Sequence, residues 1–251
     1  MIIFRYLIGF IVIGALWKMG SLAWGRRLLP DPWATTIAFF EGLTTPTLWQ
    51  HIGISAMRLI GGIALALITA IPFGLLMGHC LRVDRWISPL LFITFPIPKI
   101  VLLPVLFTLV GIGEASRILL IALTVGYQLL VILRAEAQNM EPTYEKVFWS
   151  MGGTRWQAIR HIYWPAMMPS LMTGLKIATG TAMAVLFLAE SFATTSGLGY
   201  LIMDAWGMGQ IKEMFVAIFT MSLLGLTVYS LLGVLERIFL PWTHREKRQH
   251  D

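Results

Sequence analysis

Six long apolar runs, separated by short polar stretches, order this chain. They cover approximately residues 3–24, 54–79, 87–110, 116–134, 166–189 and 214–240. Each meets the roughly 20-residue length that a helix needs to cross the hydrocarbon of a bilayer. The pattern predicts an all-α fold, a polytopic membrane helical bundle of about six transmembrane helices, forming one domain over residues 1–251. One longer polar connection, at 141–165, interrupts the rhythm. Within the second run small residues recur every fourth position, at Gly62, Ala66, Ala70, Gly74 and Gly78, and a shorter series follows at Gly174, Ala178 and Ala182. Such stripes let neighbouring helix backbones approach closely in lipid, so the runs are expected to pack as a tight bundle.

The third run contains an anomaly, "FPIPKIVLLP" at residues 95–104, where Pro96, Pro98 and Pro104 surround Lys99. Each proline removes a backbone donor, and unsatisfied backbone polar groups cost several kcal/mol in hydrocarbon. A kinked segment is therefore expected here, facing protein or water. Lys99 is open to two readings. It either faces a solute path or gate, or it snorkels or pairs structurally at the membrane interface. Glu190, closing the fifth run, is expected to pair with Lys99, Arg58 or Arg117, and Arg58 itself to anchor at the interface.

Composition narrows the class. With 57% hydrophobic and 13% charged residues, the chain has too few charges to cover a soluble domain of this size. The +6 formal charge is dispersed through short loops, which points to membrane orientation and away from nucleic acid. One set of loops and ends holds Arg5, Arg82, Arg85, Arg134, Lys146, Arg155, Arg160, Lys176, Arg237, Arg245, Lys247 and Arg248. The other holds Lys18, Arg26, Arg27, Arg58, Arg117 and Lys212. This imbalance places both termini, the basic tail at about 241–251 and the 141–165 loop in the cytoplasm. The first run lacks a small-residue cleavage site in "KMGSLAWGRR" and reads as an uncleaved helix. Cys80, the single cysteine, excludes an internal disulfide framework. The five histidines lie in loops, at run ends or in the tail, so neither a metal site nor a cofactor is expected.

The 141–165 connection, "EPTYEKVFWSMGGTRWQAIRHIYWP", carries the most information. Pro142 suits a first helical position, Gly152-Gly153 stops that helix, and Thr154 with Gln157 forms a capping-box signature that starts a second. A basic, aromatic helix–turn–helix of this kind fits either a groove on a partner protein or the lipid headgroups. It resembles the cytoplasmic signature loop of ABC-importer permeases, with Gly152 at the glycine position, Ile162 at the isoleucine and Pro165 at the proline. Lys146-Val147-Phe148 stands where that family has Glu-Ala-Ala, and Trp164 replaces a leucine. "LLPDPWATTIAFFEG", "PIPKIVLLPVLFTLVGIGEASRILLIAL" and "SGLGYLI" extend the resemblance from about Leu29 to Trp242, towards the nitrate/sulfonate/taurine/bicarbonate branch.

The resemblance implies a permease subunit that forms the translocation pathway for a small anion such as nitrate, sulfonate or taurine, or bicarbonate. It also implies three kinds of partner. These are two copies of a cytoplasmic ABC ATPase, a second permease subunit (a homodimer) and an extracytoplasmic solute-binding protein. No G-x-x-x-x-G-K-[ST] loop occurs in the chain, so ATP hydrolysis is expected on the partner. The ATPase-coupling residues would be Lys146, Met151, Gly152, Gly153, Thr154, Arg155, Trp156, Gln157, Ile162 and Pro165. Pro96, Pro98, Lys99, Pro104 and Glu190 would belong to the pathway or gate. A gradient-driven secondary transporter is the rival reading, against which the two halves of the chain show no internal repeat.

Overall fold

The computed structural model describes residues 2–241, and the basic tail with Trp242, Arg245, Lys247 and Arg248 lies outside them. The described residues form eleven α-helices and no strand. These are α1 (Ile2–Trp24), α2 (Pro32–Gly42), α3 (Pro46–His79), α4 (Leu81–Thr94), α5 (Leu103–Val110), α6 (Glu114–Gln138), α7 (Pro142–Ser150), α8 (Arg155–Ala158), α9 (Trp164–Glu190), α10 (Leu198–Gly207) and α11 (Ile211–Phe239). Five stretches among them are long and apolar enough to cross a membrane. A sixth is made if α4 and the Lys99–Val110 segment, bent by 92°, count as one broken span.

The helices outrun the apolar patterns that announce them. The second span begins at Pro46 rather than residue 54, because Trp49, Gln50 and His51 continue the helix beyond its apolar part. Two helices that hydropathy does not reveal, α2 and α10, fall between spans. For α2 the local signal is complete. Asp31 caps it by accepting the Trp33 N–H at 2.9 Å, and Pro32 takes the first turn. The hydrogen bond from Lys18 holds the Asp31 carboxyl below the usual carboxylate range.

The chain divides into two compact units. One comprises residues up to Ala56 together with Glu190–Leu224, and the other Met57–Ala189 with the residues from Gly225 on. In the first unit Trp17 donates its indole N–H to Pro30 O at 3.0 Å, and Phe39 meets Phe219 edge-on at 5.2 Å.

In the second unit α6 is the core. Leu120, Ile121, Val125 and Leu129 on it are fully buried. The small-residue stripe of α3 packs directly against it. A Cβ on Gly62 would stand 2.5 Å from Ile121, one on Gly74 2.7 Å from Leu133, and one on Gly78 2.1 Å from Ala137. The second stripe brings α9 onto α6 as well, with Gly174 against Ile132 and Leu129, and with Ala178 and Ala182 buried. Arg134 of α6 forks onto Asp84 of α4, with a 2.7 Å bond from Nη2, and Lys176 of α9 pairs with Glu236 of α11.

The stripe makes a direct prediction. Gly78→Leu is expected to lower the detergent melting midpoint by several degrees, since overpacking costs about 1–3 kcal/mol. Gly53→Ala, on the same helix with nothing within 4 Å of its Cβ, is expected to leave the midpoint unchanged or raised.

Candidate functional site

The 141–165 bend has the parts its sequence announces. α7 ends in a Schellman motif: Gly153 N–H donates to Phe148 O at 3.3 Å and Gly152 N–H to Trp149 O at 3.1 Å. The two glycines are needed for different reasons. Gly152 holds φ +77° with open space around it, a conformation that costs other residues energy. Gly153 is pressed against a neighbour, because a Cβ there would lie 2.1 Å from the Phe148 ring. Thr154 and Gln157 then cap each other, Thr154 N–H to Gln157 Oε1 at 2.9 Å and Gln157 N–H to Thr154 Oγ1 at 3.4 Å.

The surface of the bend is apolar and basic. Met151 is 80% exposed and Trp156 69%, with Tyr144, Val147, Lys146 and Arg155 exposed beside them. Ile162 and Pro165 turn inward and are half-buried. Pro165 lies in the first turn of α9, and the loop runs into the fifth span without a break. A π-helical turn at Ile159–Tyr163, in which Trp164 N–H reaches back to Ile159 O, carries the helix through to Glu190. That wide turn sits immediately before the proline, whose missing donor would interrupt a regular ladder.

Sequence reasoning misses what ties the bend down. His79, the last residue of α3, stacks on buried Tyr163 with ring centroids 3.7 Å apart and lies 3.5 Å from Glu145. A histidine ending one helix and an aromatic 84 residues later carry no local signal of contact.

At the broken span, α4 stops at Thr94 and a 3₁₀ turn at Lys99–Leu102 leads into α5. Continuing the helix would require an N–H on residue 98 for the Thr94 carbonyl, and Pro98 has none. The Lys99 side chain supplies it. Its Nζ donates to Thr94 O at 2.6 Å, Ile97 O at 3.0 Å and Phe95 O at 3.2 Å, and it lies 4.2 Å from the Tyr127 ring centroid. Of the three carbonyls, Thr94 O is the one whose helical donor Pro98 removes, so the lysine that looked misplaced among the prolines replaces that donor and binds two further carbonyls of the turn. Pro96 and Pro98 make the turn, and Pro104 sits in the first turn of α5. Lys99 also lines a cavity of about 310 Å³ between the turn, α6 and α9.

Glu190 belongs to the other unit and is fully buried. It accepts from the Ser55 hydroxyl at 2.8 Å and from Gly199 N–H at 2.8 Å. The Ser55 oxygen in turn accepts from Leu198 N–H at 2.8 Å, and His51 Nδ1 from Gly197 N–H at 3.0 Å. The "SGLGYLI" stretch thus buries Gly197, Leu198 and Gly199 around the Glu190 carboxyl group. Arg58, which reads as an interfacial anchor, is buried too, and forks onto Glu114 with two 2.6 Å bonds. Arg117 donates to Gly113 O at 2.9 Å and Ala189 O at 3.2 Å.

Comparison with known proteins agrees with this architecture. The model of the family described as "Binding-protein-dependent transport system inner membrane component" matches residues 70–243. The taurine transport system permease protein TauC of Escherichia coli (strain K12) is 29% identical over 207 residues, covering 82% of this chain and 75% of that protein. The formylaminopyrimidine transport permease protein ThiX of Halalkalibacterium halodurans is 27% identical over 238 residues, 94% of this chain and 95% of that one. Among solved structures, an inward-facing MetNI methionine ABC transporter chain superimposes with a TM-score of 0.62. It has 18% identity and covers 77% of this chain and 98% of that chain, a likeness of fold. With a family match over residues 70–243 and five or six candidate spans, the chain belongs to the binding-protein-dependent transport inner-membrane components, the permease subunits of ABC importers.

Proposed function

We propose that this permease subunit moves a small anion of the nitrate, sulfonate/taurine or bicarbonate type across the inner membrane. Two cytoplasmic ABC ATPase subunits drive it, docking on the 141–165 bend of each copy in a homodimer, and an extracytoplasmic solute-binding protein delivers the solute. Both termini then lie in the cytoplasm, and the whole chain acts as one permease domain. ATP-driven closure of the ATPases rocks the spans as rigid bodies and alternates access to a central path, with Pro96, Pro98, Lys99, Pro104 and Glu190 in the parts that move or line it.

The observation that carries the coupling role is the build of the bend. An apolar knob of Met151 and Trp156, flanked by Lys146 and Arg155, stands exposed on a turn that is rigidly specified from within. Exposed aromatic and methionine side chains on a preorganised support are what a protein groove selects. The relatives are named for different solutes, taurine for one and formylaminopyrimidine for the other, as expected where a separate binding protein does most of the selecting.

A gentle-detergent pull-down of the tagged chain from native membranes, with mass spectrometry, tests this. The expected result is a stoichiometric P-loop ATPase, lost when Gly152-Gly153 is replaced by a bulky pair. A particle with no ATPase that still supports gradient-driven uptake would overturn the proposal in favour of a secondary transporter.

A further inference from the structure

Three basic side chains without an ion-pair partner gather where α1 ends and where α2 and α11 begin. They line a cleft of about 870 Å³, whose charged groups are Lys18, Arg26, Arg27 and Lys212 against Asp31 and Glu213. Lys18 is committed to Asp31, which Arg26 also reaches through space. Arg26, Arg27 and Lys212 are exposed and form no ion pair among the described residues. A surplus of one sign in a cleft attracts the opposite sign from outside the chain.

Two further observations identify what meets that charge. The first is the outer face of α2. Trp33, Ile37 and Phe40, spaced i, i+4 and i+7 along it, are all exposed, as are Trp24 and Leu28 just before it. A water-soluble partner that comes and goes would leave this apolar face in water, whereas the headgroup–acyl boundary of a bilayer covers it permanently. Exposed tryptophans at the ends of apolar helices mark that boundary. The second is an apolar groove of about 330 Å³ beside the cleft, lined by Trp17, Leu29, Phe215, Ile218 and Phe219. Ile218 and Phe219 lie roughly two turns further into α11 than Lys212. Trp17 joins the two features. Its ring stands 6.0 Å from that of Phe215 in the groove, and its N–H bonds Pro30 O in the cleft wall at 3.0 Å. Charge at the helix ends with an apolar slot deeper along the span is the order of groups in a phospholipid.

We infer that the cleft and groove form a binding site for an anionic phospholipid. Its phosphodiester lies among Arg26, Arg27 and Lys212, and one acyl chain runs along Trp17, Phe215 and Phe219. The inference rests on the proposed membrane disposition, which puts this end of α1 at the extracytoplasmic surface. Guanidinium groups suit phosphate because their donors are forked to match its oxygens, and basic pockets between membrane helices hold anionic headgroups. The site shares no residue with the 141–165 bend or the broken span, so the lipid is a bound constituent and not the solute.

Lipid titration of the purified full chain tests this. After delipidation in detergent it is titrated with phosphatidylglycerol or with phosphatidylethanolamine of the same acyl chains, and bound lipid is counted by native mass spectrometry. One phosphatidylglycerol is expected to bind with a Kd about tenfold lower than that of the zwitterionic lipid. Arg26→Gln/Arg27→Gln/Lys212→Gln is expected to bring the two within about twofold. Arg82→Gln/Arg85→Gln, which removes two exposed arginines at the start of α4, is expected to keep the full preference. Glycerol 3-phosphate, a headgroup without chains, is expected not to displace the lipid even in large excess. Raising the salt is expected to shrink the preference of the parent chain, a readout that needs no substitution.

Equal affinity for the two lipids, a preference that survives the triple substitution or is indifferent to salt, or an equal loss in the α4 variant would overturn the site. Displacement by glycerol 3-phosphate would overturn it too, in favour of a soluble phosphate ligand. No ATPase takes part, so the titration fails independently of the pull-down: a preserved lipid preference in a chain that captures no ATPase would sink the importer reading and leave the lipid site standing.

Discussion

Gly153→Val is expected to leave the chain inserted in the membrane and assembled in the proposed transporter, while uptake falls at least tenfold and ATP hydrolysis continues. The reason is local. A side chain at residue 153 must displace the Phe148 ring, whose Cε1 would lie 2.1 Å from the new Cβ and whose Cδ1 and Cζ would both lie 2.5 Å away. Phe148 stands edge-on to Trp149 at 5.6 Å, so the ring cannot turn without moving α7 against the helix that Thr154 starts. The angle between the two arms of the bend changes, and with it the placement of Met151, Arg155 and Trp156. The span packing against α6 is untouched, which is why insertion and assembly survive. Gly152 provides the contrast. Its φ of +77° is its only constraint, since no atom lies within 4 Å of a Cβ there. Asparagine tolerates the left-handed region, so Gly152→Asn is expected to retain most uptake. Paired measurements of phosphate release and solute uptake in proteoliposomes check both. Normal uptake by Gly153→Val would remove the bend from the coupling pathway.

These two glycines also mark how far a sequence can be read. The pair was legible as a helix stop, and Thr154 with Gln157 as a restart, because capping is decided by residues a few positions apart. The prolines at 96, 98 and 104 were legible as a break for the same reason. Burial of a carboxylate or a guanidinium was not. Arg58 meets Glu114 and Ser55 meets Glu190, pairs separated by 56 and 135 residues, and nothing in either neighbourhood records the other. Lys99 falls between these cases. Both readings of it rested on the cost of a charge in the membrane, but its use as a donor to the Thr94 carbonyl, which Pro98 cannot serve, follows only once the turn is seen.

Removing the Glu190 carboxylate is expected to have the largest effect on stability. In Glu190→Leu the Ser55 hydroxyl and the Gly199 N–H lose a buried acceptor that each approaches to 2.8 Å. Leaving a buried donor without its acceptor costs about 1–3 kcal/mol, and two such donors are left dehydrated here. The loop has no slack with which to recover. Gly197 is held at φ +107° with the carboxylate carbon 2.3 Å from where its Cβ would be, and Leu198 N–H is bound to the same Ser55 oxygen. A leucine methyl in place of a carboxylate oxygen would press on that backbone without accepting its hydrogen bonds. The melting midpoint of the purified chain in detergent is therefore expected to fall by roughly 10 °C, taking about 2–4 °C per kcal/mol for a chain of this size. Glu190→Gln keeps the volume and one acceptor oxygen, so its loss should be less than half as large. If Glu190→Leu melts with the parent protein, the carboxylate does not organise the Gly197–Gly199 loop. If Glu190→Gln melts with Glu190→Leu, the charge matters and the acceptor geometry does not.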